Sequence, residues 1–544
     1  MQKNKSKFII SALLLVIVGV IGVNAGGPLF IWNAEQRIPY RWDVTSPVKI
    51  YTDLGAFEVL PPVPPVGTVL VTNEIADATV AFAAQQWTDV DTSSFQAQVF
   101  GDFGSIGLPD VKDATTAALV FGPDNVGDGI HFVYDADATV LQTFFGAPSN
   151  VLGIASPEWA DEATGTITEG WVIINAKQRW FTDNTLAMYA GVFTHELGHA
   201  INLAHSQTNG AAWFSFDPVG PRSCTIVPYP INVTVADVET MYPFINQRPN
   251  GSGIAQSTVE RADDKAAISD LYPDSGYSTT KGSITGKILQ TDGKEGITGI
   301  NVIARNLTNP YADAVSAMSG DYVRVQAGND GTFTLNGLTP GANYALYTDM
   351  IVQGGFPTVQ PLYVPEGEEF YNGANESGDG LTDDRCQAEP IAVVAGSTVE
   401  AEITLNSVKA APPFMGLAPG TGARTISSDG KVVGGPISGG GTFRWTEEGG
   451  YETLNLTQLA GGVMSRDGNA FASETWAPGG TRITHQASLL RYPGQWERLP
   501  LPVPDPPAIT FPCDTTSHSW GIAADGKAVS GMVWLDINGP LSGG

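Results

Sequence analysis

The sequence predicts a multidomain chain in three segments: an α+β domain, then an all-β sandwich, then a β-repeat region, propeller-like or open. Three observations predict this. First, 544 residues exceed what one hydrophobic core organises. Second, apolar spacing mixes periods of 3.6 and 2 up to about residue 273, whereas only period 2 recurs from 282 to 408. Third, beyond Pro412-Pro413 the chain becomes glycine-rich and one short frame repeats at Ser428-Asp429-Gly430, Arg466-Asp467-Gly468 and Ala524-Asp525-Gly526.

The N-terminus carries Lys3, Lys5 and Lys7, an apolar run from Phe8 to Val23, and Val23-Asn24-Ala25. That pattern is expected to be a secretory signal peptide over 1–25, because the run is short for a membrane anchor and small residues precede Gly26. The mature protein is therefore expected outside the cytoplasm: extracellular, at the cell surface or periplasmic. A formal charge of −28 disfavours nucleic acid and anionic membranes as partners. Three cysteines, Cys224, Cys386 and Cys513, are too few and too scattered for a disulfide scaffold.

Over 26–273, Pro39–Trp42 and Val48–Tyr51 read as a first strand region, followed by the extended Pro61-Pro62-Val63-Pro64-Pro65. Ala76, Val80, Ala83 and Trp87 predict a helix over 72–90. His131–Tyr134 and Trp171–Ile174 read as buried strands, and a second helix is expected from Asn184 to about Ile201. The stretch 206–240 is long and irregular for a connection. Ser257-Thr258-Val259-Glu260 has capping-box form and predicts a helix through Leu271.

The second helix carries the chemistry. In His195-Glu196-Leu197-Gly198-His199 the two imidazoles fall one helical turn apart on one face, where both reach one metal ion. Glu196 then stands beside the ion as a general base for water. His205 lies six residues past His199, so the helix must stop and turn for it to join them. Asn202 lies between them, and asparagine tolerates the left-handed region better than any other non-glycine residue. Three of only six histidines fall in this one frame. The expected cofactor is Zn2+, and the lack of an evident fourth protein ligand favours catalysis over a structural site. Weaker candidates surround it. Asp124 and Asp128 in one acidic loop, and Asp379, Asp383 and Asp384 in another, offer oxygens for calcium, with a solvated turn as the default. His131 reads as an ordinary strand histidine, Tyr242 as the wall of a pocket, and Cys224 as an inert thiol.

HELGHAINLAHS, then ETMYPF, then ERADDKAAISDLYP, in that order, resembles the matrixin catalytic domain of the metzincin zinc endopeptidases over about 38–273. The resemblance implies a five-stranded twisted sheet over an active-site helix. It also implies His195, His199 and His205 as zinc ligands, Glu196 as general base, and Met241 as a methionine turn under the metal. Asn202 replaces the family's glycine, and the span from His205 to Met241 is longer than the family pattern. No cysteine precedes Cys224, so latency through a propeptide thiol is not expected.

Residues 274–281 read as a linker. The 282–408 segment has period-two strands at Ile284/Gly286/Ile288, Ile300/Val302/Ala304, Phe333/Leu335 and Val399/Ala401/Ile403/Leu405. Gly337-Leu338-Thr339-Pro340-Gly341-Ala342-Asn343-Tyr344 resembles the turn of carboxypeptidase-regulatory-like and collagen-adhesin B-type sandwiches. The region 409–544 is similar to extracellular HAF-type repeats. Together these readings imply a secreted zinc endopeptidase acting on extracellular proteins or peptides. The alternative is a catalytically inactive metzincin-like adhesion or matrix-binding protein, since half the mature chain is β module.

Overall fold

The computed structural model describes residues 5–7, 27–33, 36, 38–121, 127–206, 208–209, 234–320, 330–349, 369–378, 388–406, 425–437, 442–446, 448–454, 463–476, 485–499, 516–522 and 529–534. The chain divides into two compact units, Met1–Asn406 and Ser407–Gly544. Both are rich in β sheet, as a β-rich multidomain chain should be.

Five strands frame the first half of the first unit: β1 (Val48–Thr52), β2 (Ala97–Asp102), β3 (Gly129–Asp135), β4 (Gly153–Asp161) and β5 (Thr166–Asn175). They lie in the order β4-β5-β3-β1-β2 within a sheet of seven described strands rather than the five expected, because Lys5–Lys7 adds to β4 and Arg41–Trp42 pairs with β5. β5, β3, β1 and β2 are parallel neighbours, and β4 runs antiparallel to β5. Every residue of β3 is buried, because a parallel strand covered on both faces has no polar side to show. One sheet face packs Ile50, Phe132, Val172 and Ile174 against Trp87, Phe193 and Leu197. The opposite face sets Val133, Trp171 and Ile173 against Phe121 and Phe145. Alternation alone misses β2 and β4: β4 contains Pro157, and its register with β5 shifts on both sides of Trp159.

Among the described residues the α-helices are α1 (Asn73–Thr88), α2 (Ala114–Val120), α3 (Ala190–Ala200), α4 (Ala262–Leu271) and the single turn α5 (Tyr277–Thr280). α1 buries the expected stripe of Ala76, Val80, Ala83 and Trp87. Two expected starts are corrected. α3 begins at Ala190 rather than Asn184, because Leu186 sits at φ +58° and Asp183 Oδ2 accepts from the amides of Met188 (2.9 Å) and Tyr189 (3.0 Å). α4 begins at Ala262, not after Ser257, whose hydroxyl donates backward to the Ile254 carbonyl at 2.7 Å. Of the expected leader only Lys5–Lys7 are described, and they pair antiparallel with Trp159–Asp161. Among the described residues no helix is long and apolar enough to cross a membrane.

The expected linker holds α5, and the buried Tyr277 donates to Asp270 Oδ1 at 3.0 Å, so this stretch is docked onto α4. Two sheets follow. Gly282–Leu289 pairs with Thr332–Leu338 and with Thr398–Glu400, and its end pairs with Ile403–Thr404. Asn301–Asn306 pairs with Ala314–Met318 and Asn343–Asp349, and the latter takes up Glu369–Phe370 and Ile391–Ala392. Inward positions Ile284, Ile288, Phe333 and Leu335 are buried, the expected period-two set.

In the second unit the first two copies of the Asp-Gly frame make hairpin turns, while the third, Ala524-Asp525-Gly526, lies outside the described residues. Ser427 Oγ donates to Asp429 Oδ1 at 2.7 Å and accepts from the Val432 amide at 2.9 Å. Ser465 repeats this with Asp467 (2.6 Å) and Ala470 (2.8 Å). Each turn opens a four-stranded antiparallel sheet, the first running from Thr425 to Thr453 and the second from Val463 to Arg498. A hairpin of Thr516–Ile522 with Val529–Trp534 completes the described strands. Glycine at φ +69° (Gly430) and +72° (Gly468) lets both turns close.

Candidate metal centre

α3 is buried along its whole length and is held from α1 by Trp87, whose indole N–H donates to the Thr194 carbonyl at 2.9 Å. Gly198 makes a close approach possible beneath it. A Cβ there would fall 2.3 Å from Met241 Sδ and 2.9 Å from the Trp87 ring. Met241 thus packs directly under the histidine-bearing turn, where the methionine was expected.

The helix ends in a Schellman arrangement: the Asn202 amide donates to His199 O (2.9 Å) and the Leu203 amide to Gly198 O (2.9 Å), with Asn202 at φ +78°. The spacing demanded a turn between His199 and His205, and the left-handed turn falls at the residue that stands in for the glycine of the family it resembles. Sequence reasoning missed what the asparagine side chain does. Its Oδ1 accepts from Phe30 N at 2.8 Å, and its Nδ2 donates to Phe30 O at 3.0 Å and Tyr40 O at 2.8 Å. The turn is thereby stitched to the segment 27–40, and the Ala204 amide adds a bond to Gly27 O at 2.9 Å.

After the turn, His205 meets the two helical histidines. The Nε2 atoms of His195 and His199 lie 3.1 Å apart, those of His199 and His205 3.0 Å, and those of His195 and His205 3.2 Å. His195 Nδ1 faces the Thr240 carbonyl and His199 Nδ1 the Leu203 carbonyl, both at 2.8 Å. A carbonyl only accepts, so each Nδ1 carries the proton and each Nε2 presents a lone pair. Burial pushes His195 down to about 3, His199 to about 4 and His205 well below the ordinary range, so all three imidazoles are neutral at pH 7 in the metal-free protein. Lone pairs so close repel one another, and a shared cation removes that repulsion. Tetrahedral zinc with bonds of ~2.1 Å separates its ligand nitrogens by ~3.4 Å, which small rotations of these rings reach. The donor set fits Zn2+, and among the described residues this is the one cluster with metal-ligating geometry.

Glu196 is buried beside them, pressed against β4: a Cβ at Gly153 would fall 2.7 Å from its Cγ. Burial raises its carboxyl to about 8. Behind the ligands, Asp264 accepts from the amides of Thr240 (2.8 Å) and Met241 (3.0 Å), which fixes the carbonyl that receives His195. The Ser206 amide donates to Met241 O at 2.9 Å, and its hydroxyl donates to Asp263. The sequence reading assigns no role at the site to Asp263 or Asp264. Adjacent acids on a helix with a buried face were the available signal.

Most of the weaker candidates fall where nothing is described. Asp128 is exposed at the start of β3, and Asp124, Asp379, Asp383, Asp384, Cys224, Cys386 and Cys513 lie outside the described residues. His131 is fully buried with its Nδ1 3.4 Å from Glu169 Oε1, but neither ring nitrogen makes a hydrogen bond among the described residues, so the ordinary partner expected of it is not the one found. Tyr242 is buried next to Phe244, with ring centroids 6.0 Å apart.

No protein-family model matches this sequence, and neither does any curated protein. Among solved structures the chain is similar, at 15% identity, to the dioxygenase domain of a dioxygenase carbohydrate-binding protein fusion from Streptomyces sp. SirexAA-E. That match covers 24% of this chain and 84% of that one at a TM-score of 0.13, too low to relate the two folds.

Proposed function

We propose that this chain is a secreted zinc-dependent endopeptidase of the matrixin-like metzincin type, acting on extracellular proteins or peptides. The observation that carries the reading is the convergence of His195, His199 and His205 within 3.2 Å, with Glu196 on the same helix beside them. Zinc bound there would supply Lewis-acid polarisation to a water and to the scissile carbonyl. Glu196 takes the proton from the attacking water and delivers it to the leaving amine. Its burial favours the protonated form, and a divalent charge at the histidines acts in the opposite direction, toward the carboxylate that a base requires. The carbonyls of Thr240 and Leu203 hold two rings in the tautomer that ligates. Glu196→Ala is expected to retain one zinc per chain and to lose at least ~100-fold in casein turnover; an undiminished rate would sink the assignment.

A second reading is an inactive adhesion or matrix-binding protein, favoured by the extent of β module: Ser407–Gly544 forms its own unit, and no described residue there joins a metal-ligating cluster. Chelator-sensitive cleavage by the purified chain separates the two, since an adhesin binds its matrix without cutting it.

A further inference from the structure

We infer that the β-sandwich is a working part of the metal centre, with Arg305 as the positioning residue that fixes the loop carrying His205. The inference rests on metal binding at the three histidines and not on peptidase activity. Arg305 lies on the strand Asn301–Asn306, 1% exposed, yet its guanidinium reaches out of the sandwich. Nη2 donates to Thr208 O at 2.8 Å and Nη1 to Asn209 Oδ1 at 2.9 Å, three and four residues beyond His205. Nη1 also donates to Pro310 O, and Nε donates to Tyr347 Oη at 2.9 Å.

A guanidinium removed from water must keep its acceptors, so Thr208 and Asn209 cannot drift without stranding a buried charge. The same two residues are gripped from the other side. Glu239, two residues before Met241, accepts from the Thr208 hydroxyl and the Asn209 amide. Nearer the ligand, Asp263 holds the Ser206 hydroxyl and accepts from Ser316 Oγ (3.0 Å) on the sandwich strand Ala314–Met318. The ligand His205 therefore has the sandwich bound on its C-terminal side through two independent contacts. His195 and His199 have no such dependence, because α3 holds both. Met241, beneath the metal site, shares the Glu239 and Asp264 anchors.

Linkage makes this measurable in both directions. In the full-length chain, Arg305→Met is expected to weaken zinc at least ~10-fold in competition with a chromophoric chelator, the range for residues behind metal ligands, and to change the visible absorption of the cobalt-substituted protein. Arg305→Lys, with a point charge in place of the fork, recovers part of the affinity. A general loss of stability would not move the cobalt spectrum. Hydrogen exchange on the unmutated chain guards against an Arg305 variant that fails to fold. Zinc is expected to slow exchange in 301–306 and 314–318 and to leave 425–453 unchanged. Zinc affinity and cobalt spectrum unaltered in Arg305→Met, or zinc protection ending before residue 282, would overturn the inference. A chain that binds no zinc removes the metal reading itself, an outcome distinct from zinc bound equally well with and without Arg305.

Discussion

The metal centre has two halves of different construction. His195 and His199 are delivered by one buried helix, so their geometry follows from a spacing of four and from the Gly198 contact beneath them. His205 and Met241 are delivered by irregular backbone, and that backbone is held in place by Phe30, Tyr40, Asp263, Asp264 and Arg305, residues up to 172 positions away in sequence. The helical half carries its own geometry, whereas the loop half borrows it.

The largest expected effect strikes the point where the halves touch. Gly198→Val places a branched side chain where a Cβ already meets Met241 Sδ at 2.3 Å and the Trp87 ring at 2.9 Å. Overpacking against the rigid Trp87 ring and the end of the Met241 side chain is expected to cost roughly 3 kcal/mol and to displace Met241 from under the ligands. Thermal melting of the metal-free protein checks the cost, and zinc stoichiometry checks the displacement. A variant that melts like the parent would mean the two halves are not in contact here.

The next effect isolates the loop half. Asn202→Ala keeps the left-handed φ that alanine resists and removes three side-chain hydrogen bonds to 27–40, for a loss of about 3 kcal/mol. Asn202→Gly removes the same bonds but frees the turn, so it should fall about 1 kcal/mol short of the alanine loss. Equal losses in the two variants would show that the turn's φ carries no strain. A glycine variant more stable than the parent would show that the stitching to Phe30 and Tyr40 contributes nothing.

These same contacts mark where the sequence was legible. The period of the helix exposed His195, Glu196 and His199, and arithmetic on the spacing required a turn between His199 and His205, because both are consequences of local geometry; its place at Asn202 came from the family resemblance. β1, β3 and β5 were visible for the same reason, as buried runs whose burial leaves a local trace. β4 was hidden by Pro157 and by register shifts around Trp159 that break alternation. Asp263, Asp264 and Arg305 were hidden more deeply. A charged residue in a polar-looking segment reads as solvated until the fold supplies the partner that buries it.

The smallest expected effect distinguishes the two halves by their protons. In the metal-free protein the histidines are held neutral, so their contribution to stability is present above the unfolded value near 6.5 and is lost as pH falls through about 4 and 3. The carboxyls around the loop respond in the opposite sense. Burial raises Glu239 to about 8, with Asp263 and Asp264 as neighbouring charges that raise it further. In the unfolded chain Glu239 loses its proton above about 4.5, while in the fold it keeps it to about 8. Its contribution is therefore full below 4.5 and is lost as pH rises through 8, a total on the order of a few kcal/mol. Glu239→Gln preserves an oxygen for the Thr208 hydroxyl and the Asn209 amide and cannot ionise. Its melting temperature, followed from pH 5 to pH 8.5 without metal, should fall less steeply than that of the parent. The two should nearly coincide at pH 5 and separate progressively above it. Parallel curves would show that Glu239 is solvated enough to ionise freely, and the loop half would then be held by Arg305 and Asp263 without a buried acid between them.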